Sequence, residues 1–307
     1  MGENPLLSII IPVYNSEAFI SECIQSIKTL RITSEIIIIN DGSTDNSEQI
    51  ILNEAKRNYV YIKQENSGYG SACNKGLDNA KGKYFAILEP DDYVVEGFYE
   101  NLITIAEKEH ADITAYRSYI RNLKKIHRLP LNFTERLIEF CDSGLFWYRA
   151  PCLWNAIYRT EKFKFCRFVE TKGASYQDAM FQIRLERERP TLYIINDAKY
   201  IYREHAAQSV KNADKKIAEI CEGWIRQSQL VNEQQKSYFF ARLTKQIAGT
   251  SCSWHNKCIL YAFLYLLARI SKHNLKFIDG IRKPFHGKYL ENIPNWIIKK
   301  IRLWRRK

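Results

Sequence analysis

The chain has 307 residues, 46% hydrophobic and 26% charged, enough to bury a sizeable core in one large domain or one domain with an appendage. It has no low-complexity run and no internal repeat, which excludes the fibrous, disordered and solenoid classes. A formal charge of +12 makes an anionic partner worth seeking, but the charge is uneven and gathers near the end of the chain.

The opening MGENPLLSII runs almost directly into LLSIIIPVY, an apolar run of the kind a buried parallel strand needs. No secretory signal stands ahead of it, so the expected compartment is the cytoplasm. Eight cysteines without a CxxC pair are accordingly expected to be reduced. SEAFISECIQSIKTL places Phe19, Ile20, Cys23, Ile24 and Ile27 on one helical face. EIIIIN is a second buried strand, and after it Asp45 and Glu48 form a capping-box pattern. YVYIK is a third strand. A glycine-containing loop over 65–70 then opens a helix expected to stop near Gly82. KYFAIL is a fourth strand, with Glu89, Asp91 and Asp92 at its end.

This alternation predicts an α/β fold with a doubly wound, mostly parallel sheet. Ligands of such sheets sit beyond the carboxyl ends of the strands. Residues 12–15, 40–43, 66–70 and 89–92 all fall there, so four polar loops are expected on one rim. From about residue 114 the periodicity weakens and aromatics and arginines become frequent, which reads as a loop-rich half reaching about 212. The remainder, 213–307, is expected to be a helical appendage. Cys252, His255 and Cys258 have zinc-like spacing, but lack a fourth ligand in an apolar segment and read as core. The closing IPNWIIKKIRLWRRK interleaves six cations with tryptophans and aliphatics. That pattern suits the surface of an anionic bilayer, with a solvated tail or a nucleic-acid contact as less favoured readings. The longest apolar run is too short to span a membrane.

Chemistry concentrates on the rim. Like charges close together repel unless a cation lies among them, and hard carboxylate oxygens suit Mg²⁺ or Mn²⁺ bridging phosphates. Alternatively, Asp91 or Asp92 caps a helix starting near Glu96; the shared rim favours the cation. Asp41 is placed either to bond a base or ribose edge or to form an Asx turn. Tyr14 is placed either to stack on a base or to edge the core.

Four stretches, SIIIPVYNSEAFISECIQSI, EIIIINDGSTDNS, NSGYGSACNKGL and YFAILEPDDYV, resemble the ordered signatures of the family 2 glycosyltransferases, which have the GT-A nucleotide-sugar fold. The resemblance is specific over roughly 6–100 and continues more weakly through YQDAMF and YREHAAQSV to about 210. It implies a GT-A catalytic domain over 1–212, with a nucleotide half to about 113 and an acceptor-side half over 114–212. It further implies that Pro12, Tyr14 and Asp41 hold the nucleobase and ribose, with Asn66, Gly68 and Asn74 lining the nucleotide side. Asp91 corresponds to the metal-binding acid of the family's DxD-type motif. Glu89 takes the first acidic place with an extra methylene, and Asp92 corresponds to an acid that orients the sugar donor. Asp178 corresponds to the general base, a role compatible with capping the helix that follows. Arg203 and His205 are candidates for phosphate contacts, His205 also for the metal, unless it is structural. Gln208 and Ser209 are candidates for a flap over the donor.

No Walker loop or GxGxxG follows the first strand, which argues against an ATPase and a dinucleotide dehydrogenase. The processive QxxRW signature is also missing. The expectation is therefore an inverting, metal-dependent transferase. It moves one sugar from a nucleotide-diphospho-sugar, a UDP-sugar by preference, to a hydroxyl of a surface glycan or lipid-linked glycan. The expected setting is the inner face of the cell membrane, held through the basic tail, with no nucleic-acid partner. Transfer to polyprenyl phosphate and a catalytically silent nucleotide-sugar-binding protein are the alternatives.

Overall fold

The computed structural model describes residues 4–54, 59–128, 135, 137–138, 152–170 and 177–205, with isolated positions between 221 and 267. The four predicted apolar runs are β1 (Leu7–Val13), β2 (Ser34–Asn40), β3 (Tyr59–Lys63) and β4 (Tyr84–Ile87). Between them lie α1 (Ile20–Ser26), α2 (Ser47–Glu54) and α3 (Tyr69–Asn79). The isoleucines of β1 and β2 are at most 1% exposed. Branched side chains stiff at χ1 pack well on a pleated sheet covered on both faces. Next come β5 (Tyr93–Val94), α4 (Phe98–Glu109), β6 (Ile113–Arg121), β7 (Lys125–Arg128) and β8 (Leu137–Ile138). A single 3₁₀ turn (Leu153–Asn155), β9 (Ala156–Arg159), α5 (Thr160–Phe163), α6 (Gln177–Arg187) and β10 (Leu192–Tyr202) follow.

The sheet order is β3-β2-β1-β4-β9-β6-β10-β5, with β7 on β6 and β8 on β10. Strands β3, β2, β1 and β4 are parallel, and β10 is parallel to β6. Because β4 and β6 both run antiparallel to β9, their carboxyl ends share one rim with those of β1, β2 and β10. The order reverses at β1, the switch point where this class of sheet binds its ligand.

Three local expectations are corrected. The helix expected to stop at Gly82 ends at Asn79 with Ala80 extended. Gly82 instead lies flat on β1, where an added Cβ would stand 2.5 Å from the Ser8 nitrogen. The capping box is half formed. Asp45 Oδ1 accepts the Ser47 N–H at 3.0 Å, but Glu48 takes the Tyr61 hydroxyl (3.0 Å) and Lys63 Nζ (2.6 Å) on β3. The half expected to be loop-rich contains strands of nine and eleven residues. Register shifts in β10 on either side of Ala198 break its alternation, and its aromatics fill core: Tyr116, Tyr158 and Tyr200 are at most 1% exposed.

Two compact units divide the chain, Met1–Cys141, Arg149–Lys172 and Met180–Glu204 in one, Asp142–Tyr148, Gly173–Ala179 and His205–Lys307 in the other. Within the second, Trp224, Phe240, Leu243, Ile247, Leu260, Phe263, Leu264 and Leu267 are helical and buried, and the Trp224 and Phe263 rings stack at 6.3 Å. Cys252, His255, Cys258, Gln208, Ser209 and the tail 293–307 lie outside the described residues. Among the described residues no helix is long and apolar enough to cross a membrane.

Candidate active site

The rim of the first unit is held together by side chains that tie each loop to the next. After β1, Asn15 adopts φ 49°, and its Oδ1 accepts the Thr44 N–H at 2.8 Å. Ser16 N–H donates to Ser47 Oγ at 2.8 Å, and Glu17 N–H to Asp45 Oδ2 at 3.0 Å. After β2, Asp41 is 3% exposed. Its carboxylate accepts Gln64 Nε2 (2.8 Å) and the N–H groups of Ser67 (2.9 Å) and Gly68 (2.9 Å). Asp41 thus fixes the loop over 64–68 directly. Gly42 (φ 72°) allows the approach, since a Cβ there would meet the Asn66 nitrogen at 2.8 Å. Tyr14 is 49% exposed on this rim, whereas Pro12 is buried in β1. Gly68, buried at φ 93°, ends the loop, and α3 begins at Tyr69.

The acidic loop after β4 is reached from three directions. The Tyr69 hydroxyl donates to Glu89 Oε1 at 2.7 Å, and the Cys23 thiol of α1 lies 3.5 Å from the Glu89 carbonyl. Asp92 is 1% exposed, accepting the Tyr200 hydroxyl (2.9 Å) on Oδ2 and the Arg203 N–H (2.8 Å) on Oδ1. Burial, then the neighbouring Asp91 charge, push the Asp92 carboxyl up to about 8, against these two donors and the Arg203 cation. Burial is also the first cause that pushes the Cys23 thiol up, followed by the charges of Asp92 and Asp91, with Glu89 adding to it. The three acids therefore act on one small volume. Neither Asp91 nor Asp92 caps α4, whose N-cap is Gly97 at φ 77°; that alternative is removed.

Among the described residues no group of three His, Cys, Asp or Glu forms a metal cage. Asp92 is occupied by Tyr200 and Arg203, and Glu89 by Tyr69. A loop of three carboxylates, all hard oxygen donors, has the chemistry that suits Mg²⁺ or Mn²⁺, cations that take a few carboxylates and keep much of their hydration.

The predicted residues have the following partners in the structure. Arg203 was expected at the phosphates. Its guanidinium bonds Glu22 Oε2 at 2.7 Å and lies over the Phe19 (5.1 Å) and Tyr93 (4.9 Å) rings, while its backbone holds Asp92. Asn74 was expected beside the nucleotide. It is 6% exposed, and its amide clasps residues 168–170: Oδ1 accepts the Phe168 N–H (2.9 Å), and Nδ2 donates to the Phe168 carbonyl (3.1 Å) and Glu170 Oε1 (2.8 Å). Asp92, expected to orient the sugar, is buried and held by Tyr200 and Arg203 in the loop after β4. Asn66 is half-buried in the loop that Asp41 holds. Asp178 lies inside the first turn of α6, one residue past its start, so it is not the N-cap. Its negative charge there favours the helix dipole. Asp178 and His205, both half-buried, belong to the second unit. Tyr69, Tyr200 and Cys23 escaped the sequence reading. Tyr69 stands inside one of the motifs, but nothing in its spacing shows that its hydroxyl reaches Glu89.

A parallel β3-β2-β1-β4 half with its polar loops at the switch point, extended by a mixed half, is the GT-A fold of nucleotide-sugar transferases. The crystal structure of S. aureus TarS residues 1–349 in complex with UDP-GlcNAc has it: TM-score 0.58, 18% identity, covering 90% of this chain and 89% of that one. Residues 8–186 match the model described as Glycosyl transferase family 2, and the chain belongs to that family. Among its relatives, the uncharacterized glycosyltransferase EpsJ of Bacillus subtilis is 32% identical over 216 residues, 66% of this chain and 62% of that protein. The minor teichoic acid biosynthesis protein GgaB of Bacillus subtilis is 31% identical over 205 residues, 64% of this chain and 23% of that protein. The chain thus spans somewhat under two thirds of EpsJ and under a quarter of GgaB.

Proposed function

We propose that this protein transfers a single sugar, with inversion, from a nucleotide-diphospho-sugar to a hydroxyl of a growing bacterial surface glycan such as capsule, lipooligosaccharide or a lipid-linked repeat unit. The observation that carries the reading is the acidic loop after β4, which shares a rim with the loop that Asp41 ties down. A UDP-sugar is the preferred donor; the TarS crystals contain UDP-GlcNAc and UDP. GgaB's name places that relative in teichoic acid synthesis, in keeping with a surface-glycan acceptor.

In this reading Tyr14 and Asp41's loop receive the nucleotide. Asp91, with Glu89 beside it, would hold Mg²⁺ or Mn²⁺, which when bound offsets the charge of the leaving diphosphate. Asp178 accepts the proton of the acceptor hydroxyl as its oxygen bonds the anomeric carbon and the carbon–diphosphate bond breaks. A general base in that role accelerates such a step by about 10²–10⁴-fold.

The test is titration calorimetry of UDP with and without Mn²⁺, joined to turnover of radiolabelled UDP-sugars on a lipid-linked glycan acceptor. Mn²⁺ is expected to tighten UDP binding in the parent but not in Asp91→Asn. Asp178→Asn is expected to lower transfer about 100-fold or more at unchanged UDP affinity. UDP binding indifferent to metal, with no donor consumed, overturns the reading.

A further inference from the structure

The β6–β7 hairpin differs from the rest of the unit's surface. Leu123 is 69% and Ile126 55% exposed, and Lys124, Lys125 and Arg128 beside them are exposed as well. From 113 to 134 the sequence contains no acid. The turn is closed by the Lys124 N–H donating to the Arg121 carbonyl at 2.9 Å, with Asn122 at φ 48° and Leu123 at φ 57°. Both central residues are left-handed, as a tight hairpin turn requires, and glycine is the relaxed choice after asparagine. A leucine rarely adopts this conformation. A bulky residue held in this conformation at an exposed turn raises the question of what its side chain does there.

The hairpin's two faces differ. On one, Tyr119 stacks on His127 (5.3 Å) and meets Trp154 (5.1 Å) and Tyr202 (5.7 Å), so that face is packed. On the other, Ile126 and Arg128 are exposed on β7 opposite Ile120 and the buried Ser118. The base of the hairpin is tied to the rim. Asn122 N–H donates to the Tyr202 carbonyl at 3.0 Å, Glu204 N–H to Asn122 Oδ1 at 2.7 Å, and Arg121 pairs with Glu204. Arg203, between those two partners, is the residue whose N–H holds Asp92.

We propose that residues 121–128 form a wedge that seats this rim on an anionic lipid bilayer. Leu123 and Ile126 enter the headgroup layer, and Lys124, Lys125 and Arg128 face the acidic headgroups. Apolar side chains among cations are what such a surface recognises. A second copy pairing along β7 would bring Lys125 and Arg128 against their own kind, which is how sheet edges avoid one another. A nucleic acid would use the cations but leave the exposed aliphatics without a role. The inference stands on the hairpin's own exposure and charge, and gives the transfer reading a physical reason for a lipid-linked acceptor.

The experiment is co-sedimentation of the full chain with vesicles of phosphatidylcholine alone or with phosphatidylglycerol, beside UDP affinity and solution mass by light scattering. The parent is expected to bind the anionic vesicles, more weakly at high salt. Leu123→Asp with Ile126→Asp, and separately Lys124→Glu with Lys125→Glu, are each expected to lower partition about tenfold or more. UDP affinity and mass are expected to stay unchanged, which shows the fold intact. Both variants partitioning like the parent, binding lost only on deleting 296–307, or a variant that changes the solution mass would each overturn the proposal. A parent that binds vesicles but no UDP would instead strike at the transfer reading alone.

Discussion

Asp92 combines burial with a neighbouring like charge, offset by the Tyr200 hydroxyl, the Arg203 N–H and the Arg203 cation. Its folded value, about 8, lies above the ordinary 3.8. Between those values the folded state binds the proton that the unfolded chain releases, so the stability associated with this group is full below 3.8 and falls as pH rises toward 8. Asparagine keeps an acceptor for Arg203 and can donate to Tyr200 without any charge. In chelated protein, the stability of the parent relative to Asp92→Asn is therefore expected to decline with pH. One proton bounds the slope at about 1.4 kcal/mol per pH unit. Urea denaturation at pH 5, 6.5 and 8 measures it; a difference that stays flat or grows with pH means that Asp92 is already ionised in the folded protein. Asp91, the neighbour that raises this value, carries the proposed cation role.

At the scale of elements, glycines set how closely the helical layer and the loops meet β1. Gly76 of α3 faces Ile10, whose Cγ2 would lie 2.2 Å from a Cβ, and Gly82 faces the Ser8 backbone. A side-chain methyl can rotate away more readily than backbone can. The Gly82 N–H is also bonded to Ser8 Oγ at 2.7 Å. Gly82→Ala is therefore expected to cost about 1–3 kcal/mol through overpacking, read as a fall in denaturation midpoint at an unchanged denaturant slope. A neutral Gly82→Ala would show that β1 yields there. These contacts also mark what the sequence could disclose. β1 to β4 were legible because each is a short unbroken apolar run, and the four loops followed from strand polarity. β6, β9 and β10 were not, because bulges and aromatics replace simple alternation. Asn74 reads as a site residue from its motif, yet its partner Phe168 is 94 positions away. Arg203 reads as a phosphate contact, but its place over the Phe19 and Tyr93 rings and its bond to Glu22 depend on residues distant in the sequence that spacing does not reveal.

For the first unit as a whole, the amino ends of β6 and β10 and the carboxyl end of β9, opposite the rim, meet at Asp112. Its carboxylate accepts Arg159 Nε (3.1 Å), Lys162 Nζ of α5 (2.6 Å), and the N–H (2.9 Å) and hydroxyl (3.0 Å) of Thr191. One carboxylate thus joins three strands and a helix where the mixed half of the sheet is assembled. Burial alone would raise this group, but the bonds from Lys162 and Thr191 outweigh it and hold it below the usual 3.8. A depressed folded value gives stability that is present above the unfolded value and lost as pH falls through the folded one. Asp112→Asn is expected to cost about 1–3 kcal/mol at pH 7, less than for a fully buried pair, because Arg159 and Lys162 keep partial access to water. That deficit is expected to fade below about pH 4, where the parent's own carboxylate takes up its proton. Denaturation of both proteins at pH 7, 5 and 3 gives the comparison. A deficit at pH 3 as large as at pH 7 would mean that shape, not charge, makes Asp112 the joint, and that the Lys162 and Arg159 contacts add little.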